Sequence, residues 1–238
     1  MSKIFAYIPS AYGVGKTYTA IPNDGNGDFT FSRPAAADRT DENGATESMA
    51  TNVPRIDYSD DGCPVLLLDN SLSERAYDAS PLSINPNQMV WQLELAATSN
   101  TAGTDRKVAM SNTGTSNVSI GYPSLPDDRI YVKFYDNGVT VANITFDYSD
   151  NTILRNIKVV KNGTDILVKI DNVYIGGVFD AADLPTMEEI SYSARNISSW
   201  MDGKTRNNTV DDDVTTFDST ATSWGQVVQN ISNLFTER

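Results

Sequence analysis

Residues 130–146 read Ile-Tyr-Val-Lys-Phe-Tyr-Asp-Asn-Gly-Val-Thr-Val-Ala-Asn-Ile-Thr-Phe. Ile130, Val132 and Phe134 alternate with more polar neighbours, which is the period of a strand with one buried face. The Asp-Asn-Gly triplet at 136–138 is typical of a tight turn. The stretch therefore predicts two strands joined as a hairpin.

The hairpin pattern continues to residue 179. Asn162-Gly163 separates the β-rich runs 157–161 and 164–170, and an Asn-Gly pair supplies the positive φ angles of a type I′ turn. Asp171-Asn172 then returns the chain into 173–179. A series of antiparallel hairpins predicts a mainly β protein, folded as an antiparallel sandwich.

Further strands are expected towards the N-terminus, at 3–8, 29–31, 64–69 and 88–96. The apolar run 64–69 fits a strand buried on both faces. Residues 32–63 form an acidic region that we interpret as a long structured loop. Residues 38–78 contain ten acidic residues and three arginines, so their net charge is −7. We expect residues 1–185 to form one sandwich domain that includes this loop.

Residues 186–238 have a different, helical periodicity. One helix face is predicted from spacings of three and four, and a second follows from the apolar spacing after residue 223, where Ser223 and Gln226 form a capping box. The members of the first face are Met187, Ile190, Ala194, Ile197 and Met201, and those of the second are Trp224, Val227, Val228, Ile231, Leu234 and Phe235.

A helix this short is not stable alone, so its apolar face must be covered. Two interpretations remain open: the helices pack on their own sandwich, or 205–238 is an arm that docks on another subunit. We predict that the second face forms an intersubunit contact. On that hypothesis Ile231→Asp detaches the partner and leaves the melting temperature of the sandwich unchanged.

Composition excludes several functions. The chain has 238 residues, a net charge of −13 and a pI of about 4.3, which argues against nucleic acid and anionic membranes as ligands. It has no histidine, which removes histidine-based catalysis and histidine metal sites, and Cys63 is its single cysteine. The first residues do not form a signal sequence, so synthesis in a cytoplasm is expected.

A nucleotide-binding loop is suggested by Gly13-Val-Gly-Lys16-Thr17 but is not expected. Ser10 occupies the first glycine position of the P-loop pattern, and Pro22 leaves no room for the helix that must follow the lysine. We interpret the segment as a glycine turn, and no cofactor is predicted.

A calcium loop is the candidate metal site. Asp57, Ser59 and Asp61 stand at alternate positions before Gly62, as in loops whose oxygens converge on calcium. The closing acid of an EF-hand is missing, because position 68 is Leu. The alternative is an ordinary acidic turn. Asp24, Asn26 and Asp28 form a weaker set of the same kind.

Carbohydrate chemistry has two forms to consider. Cleavage of a glycosidic bond needs two carboxylates that face the same bond. The sequence offers no such pair, so no catalytic residue is predicted. The acids considered are Glu94, alone on its strand, Asp147 and Asp150, at a strand end, and the adjacent Glu188 and Glu189. Binding needs exposed aromatic rings. The candidates are Trp91, Tyr122, Tyr131, Tyr135 and Tyr174, each of which has a core position as its alternative.

Residues 28–69 contain four motifs that follow one another in order. The motifs are Asp28-Phe-Thr-Phe-Ser-Arg33, Ala37-Asp-Arg-Thr-Asp-Glu-Asn-Gly44, Asn52-Val-Pro-Arg-Ile-Asp-Tyr58 and Gly62-Cys-Pro-Val-Leu-Leu-Leu-Asp69. They are similar to a segment of tail, fibre and structural proteins from crAss-like and other phages of Bacteroidota. Lys3-Ile-Phe-Ala-Tyr-Ile-Pro-Ser10 looks like the same family.

The resemblance implies a concanavalin A-like jelly-roll sandwich and no catalytic residues. It implies a non-enzymatic virion structural protein, in the tail, a fibre or a head appendage, that assembles with other virion proteins. A homo-oligomer, either a trimer or a ring, is the expected form. The alternative is an adhesin of the phage particle that binds a host-surface glycan.

Overall fold

The structure is a computed structural model of the whole chain. It describes residues 61–68, 82–97, 106–112, 115–122, 129–147, 152–192 and 203–236, together with the backbone of seven strands that lie in or before this range. These strands span 3–7, 20–22, 28–32, 39–40, 46–47, 55–58 and 75–78. The predicted glycine turn at 13–17 lies outside the described residues.

The described elements are almost all strands. In chain order they are β1 (Lys3–Tyr7), β2 (Ala20–Pro22), β3 (Asp28–Ser32), β4 (Arg39–Thr40), β5 (Thr46–Glu47), β6 (Arg55–Tyr58), β7 (Pro64–Leu68), β8 (Arg75–Asp78), β9 (Gln88–Ala97), β10 (Arg106–Ser111), β11 (Asn117–Tyr122), β12 (Arg129–Asp136), β13 (Val139–Asp147), β14 (Arg155–Asn162), β15 (Asp165–Ile170), β16 (Val173–Val178), β17 (Glu189–Tyr192) and β18 (Gly203–Asp211). A 3₁₀ helix (Val214–Phe217) and one α-helix, α1 (Trp224–Thr236), follow.

Two large sheets form the sandwich. Sheet A has the order β16-β15-β14-β9-β18-β7-β6, with β1 paired to β18, and sheet B has the order β13-β12-β11-β10-β17-β8-β3-β2. Strands β4 and β5 pair separately within the predicted acidic loop. All of these pairs are antiparallel, so the predicted mainly β, jelly-roll sandwich is confirmed.

The core lies between the two sheets. On β9, Trp91, Leu93 and Leu95 point inward and are fully buried, and on β12 Val132 and Phe134 do the same. Residues between them on each strand point to the outer faces, because successive side chains of a strand alternate. Val65 and Leu66 are both buried, so β7 is covered on both faces, as predicted.

The three predicted hairpin turns are present, with one difference of type. Asn137 and Gly138, and likewise Asp171 and Asn172, have positive φ angles, as a two-residue type I′ loop requires. At the third hairpin β14 ends at Asn162, so the loop is Gly163-Thr164, and of these only Gly163 (φ 57°) is positive. That pattern matches a type II′ turn, which needs glycine in its first position.

The helical region predicted for 186–238 is wrong in its first half. Met187 forms an isolated bridge to Ile84, and Ile190 lies in β17 opposite Met110. Pairing with neighbouring strands supersedes the helical spacing of these residues, as tertiary context often does. Ala194, Ile197 and Met201 lie outside the described residues.

Strand β18 also falls in this region, and it occupies the middle of sheet A. It pairs with β9 along one side and with β7 and then β1 along the other. Residues 186–238 therefore contribute strands to both sheets before the 3₁₀ helix and α1 close the described chain.

Candidate functional site

Helix α1 begins at the capping residues that the sequence predicts. The Gln226 amide N–H donates to Ser223 Oγ at 3.3 Å. The Gln226 side chain reaches back to the Thr222 amide N–H at 3.0 Å, one residue before the cap. Two of the free N–H groups at the helix start are thereby satisfied, which fixes the first turn.

The helix packs on the outer face of sheet A. Its buried residues Val227 and Ile231 form a second apolar cluster, separate from the main core. The cluster is completed by Val90, Val160 and Leu167 of the sheet and by Val214 and Phe217 of the 3₁₀ helix.

Two lysines of sheet A hold the 3₁₀ helix in place. Lys158 Nζ donates to the Thr216 carbonyl at 3.0 Å and Lys169 Nζ donates to the Phe217 carbonyl at 3.3 Å. Lys169 Nζ also lies 4.9 Å from the centre of the Phe217 ring. The two lysines are directly opposite on β14 and β15. Burial, and then the neighbouring Lys169 charge, lower the pKa of Lys158.

The structure divides the predicted intersubunit face into two parts. Val227 and Ile231 are covered by the chain's own sheet, so the first interpretation of the helix holds for them and the intersubunit prediction is revised. Trp224 is half-buried, with its indole N–H 3.4 Å from Asp165 Oδ2, and Val228 is also half-buried. Leu234 and Phe235, in the last turn, are exposed.

The exposed end of α1 continues into an exposed edge of sheet A. Phe235 packs edge-on against Tyr174 of β16, with ring centres 5.9 Å apart. In the described part of the chain β16 is the last strand of its sheet. We call the exposed apolar residues at the two ends of β16 and those of the helix end the apolar edge: Val173, Phe179, Leu234 and Phe235, exposed by 61%, 58%, 55% and 64%.

The candidate calcium loop contains an arginine partner instead of an open carboxylate. Arg206 donates to both oxygens of Asp61, at 3.1 and 2.6 Å, and Asp61 Oδ1 also accepts the Cys63 amide N–H. The side chains of Asp57 and Ser59 lie outside the described residues. Within the part of the chain that the structure describes, no three acidic or cysteine side chains are grouped as metal ligands.

Arg206 also neutralises Glu94, the acid on the strand considered for cleavage. Arg206 Nε donates to Glu94 Oε2 at 2.7 Å and Asn207 Nδ2 donates to Oε1 at 2.6 Å. Hydrogen bonds to Asp61 and Glu94 raise the pKa of the Arg206 guanidinium. Both carboxylates are thus hydrogen-bonded to one permanent cation, and Glu94 has the Asn207 amide as a second donor.

The strand that carries Arg206 is distorted at this point. The register between β18 and β9 shifts between Arg206 and Thr209, and Asn207 has a positive φ of 54°. This bulge turns Asn207 towards Glu94 and allows Asn208 to face the core. The sequence gives little signal of it, since Gly203–Asp211 lacks an alternating apolar pattern.

The five aromatic candidates for sugar stacking fall into different environments. Trp91 and Tyr122 belong to the core, where Trp91 donates to Asn208 Oδ1 at 2.7 Å and Tyr122 donates to the Leu95 carbonyl at 3.1 Å. Tyr131 is buried on the outer face of sheet B. Tyr135 and Tyr174 are half-buried, so only these two keep substantial ring exposure.

Tyr135 lies in a polar row on the outer face of sheet B. Lys133 Nζ lies 4.9 Å from the centre of its ring, and Asn117 pairs opposite Tyr135 on β11. Asn143, opposite Lys133 on β13, is exposed. The row thus combines an aromatic ring with neighbouring hydrogen-bonding groups.

The helix content is small. Among the described residues no helix is long and apolar enough to cross a membrane, since α1 has 13 residues.

No family model and no curated protein matches the sequence. Solved structures with a similar fold include the carbohydrate-binding module CBM66 from Bacillus subtilis, at 10% identity and a TM-score of 0.43, which covers 66% of this chain and 91% of that one. A β-glucanase from Bacillus licheniformis is similar at 8% identity and a TM-score of 0.46, over 87% of this chain and 95% of that one. The galectin LEC-6 from Caenorhabditis elegans is similar at 10% identity and a TM-score of 0.40, over 56% and 91%.

Proposed function

We propose that this protein is a non-enzymatic structural component of a tailed-phage virion that assembles into a homo-oligomer, either a trimer or a ring. The apolar edge carries the proposal. Its occupant is a second copy of the chain, seated on β16 and the last turn of α1. The motifs at 28–69 support the virion setting, since they resemble those of phage structural proteins.

Apolar side chains that remain exposed to water carry a free-energy cost. Burying a Leu or Phe side chain contributes about 1.5–3 kcal/mol relative to leaving it in water. Monomeric proteins seldom expose several such side chains along one edge. An edge strand in addition offers unpaired backbone groups for pairing with another chain. Val173 begins such a strand, Phe179 directly follows it, and Phe235 contacts the strand at Tyr174.

Oligomerisation is tested by Leu234→Ser combined with Phe235→Ser. We expect the unaltered protein to sediment as an oligomer. The dissociation constant of the double variant should be at least about a hundredfold higher, because two apolar side chains are removed from the interface. The measurement is sedimentation velocity over a dilution series. Val139→Ser is the matched control, since Val139 is equally exposed on the β12–β13 hairpin of the other sheet. An unaltered protein that is monomeric at every concentration contradicts the proposal.

A second candidate function is the binding of a host-surface glycan on the outer face of sheet B. The row of Tyr135, Lys133, Asn117 and Asn143 is the observation that favours it. We expect titration with capsular polysaccharide to show micromolar binding and Tyr135→Ala to weaken it about tenfold, or about 1.4 kcal/mol. Tyr174→Ala, a half-buried tyrosine of sheet A, is the control. Equal affinity of the two variants contradicts this role for the row.

A further inference from the structure

Lys161 is a lysine inside the sandwich. It follows Ile157 and Val159 on the inward face of β14, and its side chain has no exposed area. Its partners across the sheet are Met89 and Ile166, both of which are buried. A buried lysine needs polar partners, because an isolated ammonium is costly to remove from water.

The partners of Lys161 include a side-chain amide. Lys161 Nζ donates to Asn87 Oδ1 at 2.9 Å and also to the Gly163 carbonyl. Since a carbonyl bond is about 1.2 Å long, Nζ lies within about 4.1 Å of the amide carbon of Asn87. An attacking group reacts from about 3–3.5 Å, so a displacement of less than about 1 Å brings the two atoms to that distance.

The amide of Asn87 is held and polarised by the backbone of Leu184. The Leu184 N–H donates to Asn87 Oδ1 at 2.9 Å, and Asn87 Nδ2 donates to the Leu184 carbonyl at 2.8 Å. A fixed backbone N–H on the carbonyl oxygen stabilises the negative charge that develops there when the carbon is attacked.

A carboxylate is placed beside the amine. Asp183, the residue before Leu184, has Oδ1 3.7 Å from Lys161 Nζ, while its own side chain is 78% exposed. It therefore connects the buried nitrogen with solvent. Burial lowers the pKa of Lys161, and Asp183 opposes this effect. A lysine with a lowered pKa is more readily available as a neutral amine, its nucleophilic form.

We propose that Lys161 and Asn87 join in an intramolecular amide bond, an isopeptide, with Asp183 as the proton carrier. Asp183 takes a proton from the Lys161 ammonium, and the nitrogen lone pair attacks the amide carbon of Asn87. The carbonyl electrons move to Oδ1, which accepts from Leu184 N–H. When they return, the bond from carbon to Nδ2 breaks. The attacking nitrogen gives up a second proton, and both protons leave with Nδ2 as ammonium.

The reaction needs no oxidant or added reactant: an ammonium and an amide give a substituted amide and a free ammonium ion. The new bond ties the loop before β9 to the end of β14, across 74 residues of sequence. A covalent link of that span restricts the unfolded chain and so stabilises the fold.

The test is the intact mass of the purified, denatured full chain. We expect the chain to be lighter than its sequence mass by one ammonia. Trypsin should then give residues 76–106 joined to 159–169, uncut after Lys161. Lys161→Arg should restore the full mass and lower the melting temperature. Asp183→Asn, at an exposed position, should leave most of the chain at full mass.

Matched variants separate this reaction from others. Lys158→Arg on the same strand and Asp180→Asn on the same loop should keep the mass loss. Ammonia is also lost when an Asn-Gly pair forms a succinimide, and Asn162-Gly163 is adjacent. A loss that persists in Lys161→Arg, or full mass in the unaltered chain, overturns the proposal. Lys161 is then an ammonium that donates to two carbonyl oxygens and pairs with the Asp183 carboxylate.

Discussion

Ile231→Asp is expected to destabilise the protein by about 3–4 kcal/mol, because the substitution removes a buried aliphatic side chain and puts a charge in its place. Ile231 packs with Val90, Val160 and Leu167 on the outer face of sheet A. Without that contact α1 has too few residues to persist as an isolated helix. The sheet residues beneath it then become exposed to water.

Urea unfolding followed by circular dichroism measures this effect. Gln229→Asp is the matched control on the same helix, and because Gln229 is exposed and lies outside the apolar edge we expect a change of less than about 1 kcal/mol. An unchanged unfolding midpoint for Ile231→Asp would mean that the helix does not need its own sheet. The intersubunit interpretation would then apply to the whole helix face.

Trp91→Ala is expected to cost about 3–5 kcal/mol, the range for removing a large aromatic side chain from a core. Trp91 has no exposed area, and Asn208 Oδ1, also buried, accepts its indole N–H. The substitution thus leaves a cavity and removes the hydrogen bond from the indole to Asn208. A domain of ordinary stability has about 5–15 kcal/mol in total, so the variant should melt far below the unaltered protein.

Trp91→Phe separates the hydrogen bond from the packing. It keeps most of the apolar volume but loses the N–H, and we expect a cost of about 1–3 kcal/mol. Trp224→Phe is the control, since Trp224 is half-buried and its N–H lies 3.4 Å from Asp165. If Trp91→Phe costs no more than Trp224→Phe in urea unfolding, the buried bond to Asn208 contributes no more than the longer, half-buried bond to Asp165.

The parts of the fold that sequence could predict are those encoded locally. Strands β12 to β16 alternate in polarity and are joined by residues that accept positive φ, so they can be identified without knowledge of their partners. The start of α1 is likewise marked by Ser223 and Gln226. In both cases the signal lies within a few residues of the element.

The parts that sequence could not predict depend on distant partners. Residues 203–211 have no apolar alternation, and their place in the middle of sheet A is fixed by β7, β9 and β1. The amphipathic sequence of α1 predicts that its apolar face is buried, but it does not identify the surface against which the helix packs. Arg206 and Glu94 are 112 residues apart in sequence, and the partners Lys161 and Asn87 are 74 residues apart. A single sequence gives no signal of pairing at such separations.

The position of β18 has a consequence for synthesis on the ribosome. The two sides of this strand join β9 to β7 and β1, so sheet A stays in separate pieces until residue 211 has left the exit tunnel. During that time the edges of β7 and β9 that pair with β18 are open to pairing with other nascent chains. The chain must therefore fold largely after most of it has been made, and dilute or chaperone-protected expression should favour its recovery.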